Sequence, residues 1–337
     1  MILVTGGTGL VGSHLLYSLA ISGAKVRAIY RESNSLARVE KVFGYYTNIE
    51  EAKTLYNTIE WVLADITNLP ALTKAFANCT QVYHCAAMIE FDSKKYETLK
   101  KVNVEATANI VNIALLQGVQ KLCYVSSIAT LGNTTDGKST TEETPFNQNG
   151  DNNVYSLTKY AAEMEVWRGT LEGLKAIIIN PGVILGAGSW HRGSGAIISL
   201  ASKAMPYFTG GTIAVVDVQD VVNCMLLLMK SSVKNERYIL VGANMRYQDF
   251  TKHLALAFDK KPPTKEIEQW KLLLVSTFYF IGNRLFGLKR RLLKTNVKSL
   301  YSNTSYSAHK IEACLKFRFT PVAETVIRVV KRYKMEH

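Results

Sequence analysis

The chain has 337 residues, 47% of them hydrophobic and 20% charged, and a mean hydropathy of +0.03, the composition of an ordinary soluble globular protein with room for one large domain or two associated ones. Its net charge of +13, from 40 Lys and Arg against 27 Asp and Glu, suits an anionic membrane surface or a phosphorylated small molecule. Without zinc-finger spacing, an RNP motif or an arginine-rich helix, it does not read as a nucleic-acid binder. Five cysteines, at 79, 85, 123, 224 and 314, form no CxxC and no metal-ligand cluster. They fit a reducing compartment better than a disulfide scaffold. The opening MILVTGG is too short an apolar run for a signal peptide.

MILVTGGTGLVGSHLLYSLAISGAKVRAIYR predicts a strand, a glycine turn, an apolar helix and a second strand. Thr5, Gly6, Gly9, Leu10, Val11 and Gly12 form the turn. Gly6 allows a tight bend, Gly9 a close backbone approach, and Gly12 close packing of helix on strand. The free N–H groups of the helix start then face a pyrophosphate. An acid ending the second strand would bind the adenosine ribose, but Tyr30 and Arg31 stand there. The Arg31 guanidinium suits a 2′-phosphate, with Arg27 a weaker candidate, so NADP(H) is expected over NAD(H).

The alternation continues. Residues 58–66 read as a strand ending at Asp65, a hydrogen-bond acceptor for an adenine amino group. Residues 81–88 read as a strand ending in Ala86 and Ala87, and residues 104–118 as an amphipathic helix closed by Gly118. Strands over 121–132, stopping at a serine pair, and 176–186, stopped by Pro181 and Gly182, complete a parallel sheet with helices on both faces. Ligands bind beyond the carboxyl ends of such strands.

In NNVYSLTKYAAEME, Tyr155 and Lys159 lie four positions apart on a helix and share one face. A nearby ammonium favours the phenolate and draws the phenol's pKa down from about 10.

TGGTGLVG, ADI (64–66), HCAA (84–87), VSSIATLG, YSLTK, NPG (180–182) and VDVQDVV (216–222) together resemble the extended short-chain dehydrogenases/reductases over residues 1 to about 245. The resemblance implies a Rossmann-type doubly wound α/β sheet with a smaller, mostly helical substrate domain. Ser127, Tyr155 and Lys159 match its catalytic residues, Asp65 and Ile66 its adenine pocket, and Ala86 and Ala87 the stretch passing the cofactor ribose. Pro181, Gly182 and Val183 match the nicotinamide site, and Asn103 an asparagine near the active site that reads equally well as a helix-packing residue. In ketone reduction Tyr155 would donate the proton, Ser127 hold the carbonyl oxygen, and Lys159 lower the tyrosine pKa and hold the ribose.

The branch is read from the remaining residues. Met88, Ile89 and Phe91 are apolar where the substrate should lie, and the loop carrying Trp190, His191 and Arg192 is placed to cover it. These features look most like the dihydroflavonol-4-reductase and 3β-hydroxysteroid dehydrogenase branch. Ile128 and Ala129 follow Ser127 where dehydratases carry Asp-Glu. Ketone–alcohol oxidoreduction on a fairly apolar small molecule is therefore the leading expectation. Nucleoside-diphosphate-sugar epimerisation or reduction is the alternative, and a dinucleotide sensor or scaffold the non-enzymatic one. The nucleotide domain is expected from 1–182 and 212–242, the substrate domain from 183–211 and 243–337, with a helix over 244–258. From Gln269 to Ile311 stand eight Lys and Arg and no acid. Asn283 and Arg284 break the apolar run short of a membrane span, leaving a solvated helix end or an in-plane contact with anionic lipid. A cytoplasmic protein is expected, peripheral to a membrane in the second case. The resemblance also allows a homodimer through a four-helix contact, which the residues do not themselves specify.

Overall fold

The computed structural model describes residues 1–337 except 133, 135, 136, 205 and 287–292, and for 280–286 and 295 it describes the backbone alone. Among the described residues the strands are β1 (Ile2–Thr5), β2 (Val26–Tyr30), β3 (Glu60–Leu63), β4 (Gln81–His84), β5 (Lys121–Val125), β6 (Ala176–Pro181), β7 (Val183–Leu185), β8 (Tyr207–Phe208), β9 (Thr212–Asp217), β10 (Glu236–Leu240), β11 (Ala243–Arg246) and β12 (Lys265–Glu266). Seven form one sheet in the order β10-β6-β5-β4-β1-β2-β3, each pair parallel. The order reverses between β1 and β4, which opens a crevice at their carboxyl ends.

Alternate residues of each strand enter opposite cores, as the two-residue period of a strand requires. Val4, Ala28, Tyr83, Cys123 and Ile177 meet Leu15, Leu16, Val221 and Met225 on one face. Leu3, Ile29, Val82, Leu122 and Ile178 meet Leu72, Phe76, Ile110 and Val166 on the other. This is the doubly wound arrangement the alternation predicts.

A second, smaller sheet has the order β11-β9-β7. The return segment 212–242 therefore divides: β9 joins the small sheet, whereas β10 extends the main one beyond β6. Residues 244–246, expected to begin a helix, belong to β11 and pair antiparallel with β9, and the helix runs from Tyr247 to Ala257. Pairing satisfies their backbone groups before the helix can start. Around this sheet Trp190, Phe250, Leu254, Val326 and Val329 form a third core. The closing helix Val322–Glu336 is tied to it through Asp217, a buried carboxylate that accepts from Thr325 Oγ1 at 2.6 Å and pairs with Arg328.

Candidate active site

The glycine turn follows β1, with Gly6 at φ +69°. A Cβ on Gly6 would lie 2.5 Å from Ala86 N, and one on Gly12 would lie 2.1 Å from Gly6 O. Neither position admits a side chain, so the turn, the helix Leu10–Ile21 and the chain leaving β4 lie against one another. Gly9 caps that helix without a side-chain hydrogen bond, and its first turn holds no acid. The positive helix end is left to an anion, and the residues fit a dinucleotide pyrophosphate. Thr5 serves the turn from behind: its buried Oγ1 lies 2.7 Å from His84 Nδ1.

His84 is buried at the end of β4, and its Nε2 lies 2.9 Å from Thr107 Oγ1. The Thr107 hydroxyl already donates to Asn103 O, so His84 carries its proton on Nε2 and accepts from Thr5 on Nδ1. Burial lowers its pKa to about 3 and keeps it neutral. Asn103 sits in a π-helical stretch, Lys100–Glu105, inside an otherwise α-helical run. Its Oδ1 accepts from Met88 N at 2.8 Å, while Nδ2 donates to Met88 O at 3.0 Å and Thr158 Oγ1 at 3.3 Å. Both amide hydrogens are committed, so Asn103 positions the chain after Ala87 rather than presenting a donor to a ligand.

Ser127 follows β5 and caps a short 3-10 turn, its Oγ accepting from Ala129 N at 3.1 Å. Tyr155 and Lys159 come from the helix Val154–Leu171, capped by Asn153. Ser127 and Tyr155 come together: the serine hydroxyl is near enough to the phenol to lower its pKa, and Lys159 follows one turn along the same helix. Lys159 is buried, and Nζ donates to Tyr124 Oη at 2.7 Å and Val125 O at 2.8 Å. These bonds leave its third N–H for the crevice. The expected electrostatics are corrected here. Burial raises the Tyr155 pKa, the Ser127 hydrogen bond partly opposes it, and no lowering by Lys159 appears. Lys159 is itself lowered to about 7, chiefly by burial. Its charge is spent on Tyr124 and Val125.

The remaining candidates separate. Arg31 is 63% exposed, 3.8 Å from the Asp65 carboxylate. Asp65 turns its other oxygen to Thr67 N and Oγ1, both at 2.8 Å, and Ile66 is buried beside it. Arg27 sits mid-strand, paired with Glu60 at 2.8 Å and donating to Ala75 O and Ala77 O, away from the crevice. Pro181 ends β6, and Gly182 donates to Leu240 O at 3.0 Å where a Cβ would strike Ala214 O; Val183 opens β7. Phe91 packs its ring against Tyr155 with centroids 5.6 Å apart, Met88 is half-buried and Ile89 exposed. Trp190 does not cover this crevice: it is buried in the third core, donates to Glu336 at 2.6 Å and meets Tyr333 edge-on. Its size and apolar ring make it worth more as core than as a lid. His191 and Arg192 are exposed.

Sequence reasoning missed Tyr124, Thr107, His84 and Glu163, the polar lining behind the site. For Glu163 the signal was present, since residues 155, 159 and 163 share one helical face. Among the described residues no group of three or more His, Cys, Asp or Glu is placed to hold a metal ion.

The chain is 28% identical over 292 residues to a putative dihydroflavonol 4-reductase of Synechocystis sp., covering 84% of this chain and 79% of that protein. It is 28% identical over 244 residues to the sterol demethylase protein B of Methylococcus capsulatus, covering 71% and 69% respectively. The crystal structure of gox2253 superposes with a TM-score of 0.80 at 28% identity, over 100% of this chain and 98% of that one. Residues 2–242 match the NAD dependent epimerase/dehydratase family. Rossmann sheet, glycine turn and family match agree, and the chain belongs to this family, the extended short-chain dehydrogenases/reductases, as an NAD(P)-dependent oxidoreductase.

Proposed function

We propose that the protein interconverts a ketone and a secondary alcohol on a fairly apolar substrate, with NADP(H) preferred to NAD(H). The Phe91 ring packed on Tyr155 carries this reading, because it sets an apolar wall beside the proton donor. Met88 and Ile89 adjoin it, and relatives named for a dihydroflavonol and a sterol point the same way. The exposed Arg31 supports the cofactor preference.

Tyr155 gives its phenolic proton to the carbonyl oxygen, and Ser127 holds that oxygen by a hydrogen bond. The nicotinamide, when bound, supplies or accepts the hydride. The third N–H of Lys159 would hold the ribose when the dinucleotide is bound. Pro181, Gly182 and Val183 would border the nicotinamide, and Ala86 and Ala87 would let the ribose pass close to the backbone. Residues 1–182 and β10 would make the nucleotide half, and the small sheet of β7, β9 and β11 would belong with the substrate half.

Assay of a panel of ketones, alcohols and nucleoside-diphosphate sugars by NADPH and NADH absorbance tests the reading. An apolar ketone should be reduced, and Tyr155→Phe should cut turnover by about 100-fold or more with cofactor affinity nearly intact. Turnover confined to nucleotide sugars, or an active Tyr155→Phe protein, overturns it.

We also propose that the outer face of the helix Gln269–Phe286 rests on anionic membrane. Trp270, Leu274, Val275 and Phe278 are exposed there, and the acid-free basic run follows.

A further inference from the structure

We propose that Glu163 is a positioning residue of this site, a buried carboxylate that holds Ser127 and the Asn180–Pro181 end of β6 in register with Tyr155 and sets a negative charge one helical turn from Lys159. The role rests on the reading above for its chemistry, and on geometry for its assignment. Glu163 has no exposed surface, yet five donors converge on it. Oε2 accepts from Ser126 Oγ at 2.6 Å, Thr130 Oγ1 at 2.8 Å and Asn180 Nδ2 at 2.9 Å. Oε1 accepts from Arg237 Nη1 at 3.1 Å and, more weakly, Trp167 Nε1 at 3.4 Å.

The donors come from the end of β5, the turn after Ser127, the end of β6, and β10. Two of them also reach Ser127: Asn180 Nδ2 lies 3.1 Å from Ser127 O, and Thr130 Oγ1 lies 2.8 Å from it, the one Thr130 hydrogen serving either Ser127 O or Glu163. One carboxylate thus fixes the residues on either side of the crevice floor. A buried ion pair is poor grounds for a gain in stability, since an apolar replacement is often as stable. Its worth here lies in position and charge. The groups facing Lys159 are Glu163 and Tyr155 on its own helix, Tyr124 on β5, and His84 and Cys85 at the end of β4. Glu163 heads those that favour the ammonium, against burial.

The test uses the full chain with NADPH and a ketone from the panel. Glu163→Gln keeps the shape but turns an amide against Arg237, so Glu163→Gln/Arg237→Met is made beside it to relieve that clash and keep the fold. Turnover should fall by about tenfold or more, as for a reacting group displaced by a fraction of an ångström. Affinity for NADPH should stay within about threefold, because the glycine turn is untouched. NMR of Cε-labelled lysine should show the Lys159 midpoint lower by about one unit or more, since a negative charge that favoured the ammonium is gone. A merely structural role would lower the melting temperature and leave the midpoint in place. A folded double variant with near-parental turnover and an unmoved midpoint overturns the proposal. Should no ketone be turned over by the parent, the functional reading falls, and the Lys159 midpoint alone decides on Glu163.

Discussion

The Lys159 ammonium lies 2.7 Å from the Tyr124 hydroxyl and 4.3 Å from the centre of the same ring. A second phenol, on the neighbouring strand, thus holds the lysine that the sequence assigns to Tyr155. Tyr124 is wholly buried, and burial raises its own pKa well above the ordinary value, so it accepts from the ammonium without ionising. The lysine is kept in place, but its charge is weakened to a midpoint of about 7.

A proton should therefore accompany cofactor binding. Above pH 7 the free site holds Lys159 largely neutral, whereas a ribose and phosphates beside it favour the ammonium. Calorimetry of NADPH binding in buffers of different ionisation enthalpy should show roughly 0.5–1 proton taken up at pH 8 and almost none at pH 6. Lys159→Met should abolish the uptake. A parent protein that binds NADPH at pH 8 without taking up a proton contradicts the Lys159 assignment.

The proposed preference for NADP(H) rests on Arg31 and Asp65 together. Their separation of 3.8 Å and their exposure make the pair weak, so Arg31 is available to a 2′-phosphate while the Asp65 charge opposes it. Arg31→Ala should narrow the ratio of NADPH to NADH affinity by roughly tenfold, the worth of one charged hydrogen bond. Asp65→Asn should widen it. Equal affinities for the two dinucleotides in the unaltered protein remove the argument.

Trp190 marks a boundary of what the sequence discloses. Its loop is rich in glycine and carries His191 and Arg192, features of an exposed cover, and only tertiary packing shows the indole enclosed by Tyr333 and Glu336, residues over a hundred positions away. Trp190→Ala should cost about 3–5 kcal/mol of stability, as for other buried aromatic truncations. Preference among ketones should not change. An unchanged melting temperature with altered substrate preference would return Trp190 to the crevice.

The readable part of the site was local. Gly6, Gly9 and Gly12 act within one turn, and Tyr155 and Lys159 within one helical turn, so spacing alone places them. The sheet was readable because its inner strands β1, β4, β5 and β6 are buried on both faces and stand out as apolar runs. The contacts of Asn103, Tyr124 and Glu163 were not readable in that way, although spacing puts Glu163 on the Tyr155 face, since their partners come from elements far apart in sequence: Met88 for Asn103, Lys159 for Tyr124, Asn180 and Arg237 for Glu163. Their chemistry is ordinary in composition and becomes specific only on closure of the sheet. The pKa direction at Tyr155 failed for the same reason, because burial, which no spacing reports, raises it and outweighs the Ser127 hydroxyl.

The helix Gln269–Phe286 supplies the last test. Ser276 is buried on its inner face, while Trp270, Leu274 and Phe278 recur one turn apart on the outer one at 56%, 50% and 71% exposure. No described helix is long and apolar enough to cross a membrane. Lys289, Arg290 and Arg291 lie outside the described residues, and Lys294 is exposed just beyond them. Each cation near an anionic surface contributes about 1 kcal/mol, to which the aromatic side chains add shallow insertion. The protein should co-sediment with phosphatidylserine-containing vesicles and not with phosphatidylcholine alone, and moderate salt should release much of it by screening. Trp270→Ser/Phe278→Ser should weaken binding in low salt, and replacement of Lys289, Arg290, Arg291 and Lys294 by Ala should remove its dependence on lipid charge. A protein that stays in the supernatant with both vesicle types, but sediments as a dimer that Phe278→Ser dissociates, would assign this face to a second copy of the chain instead.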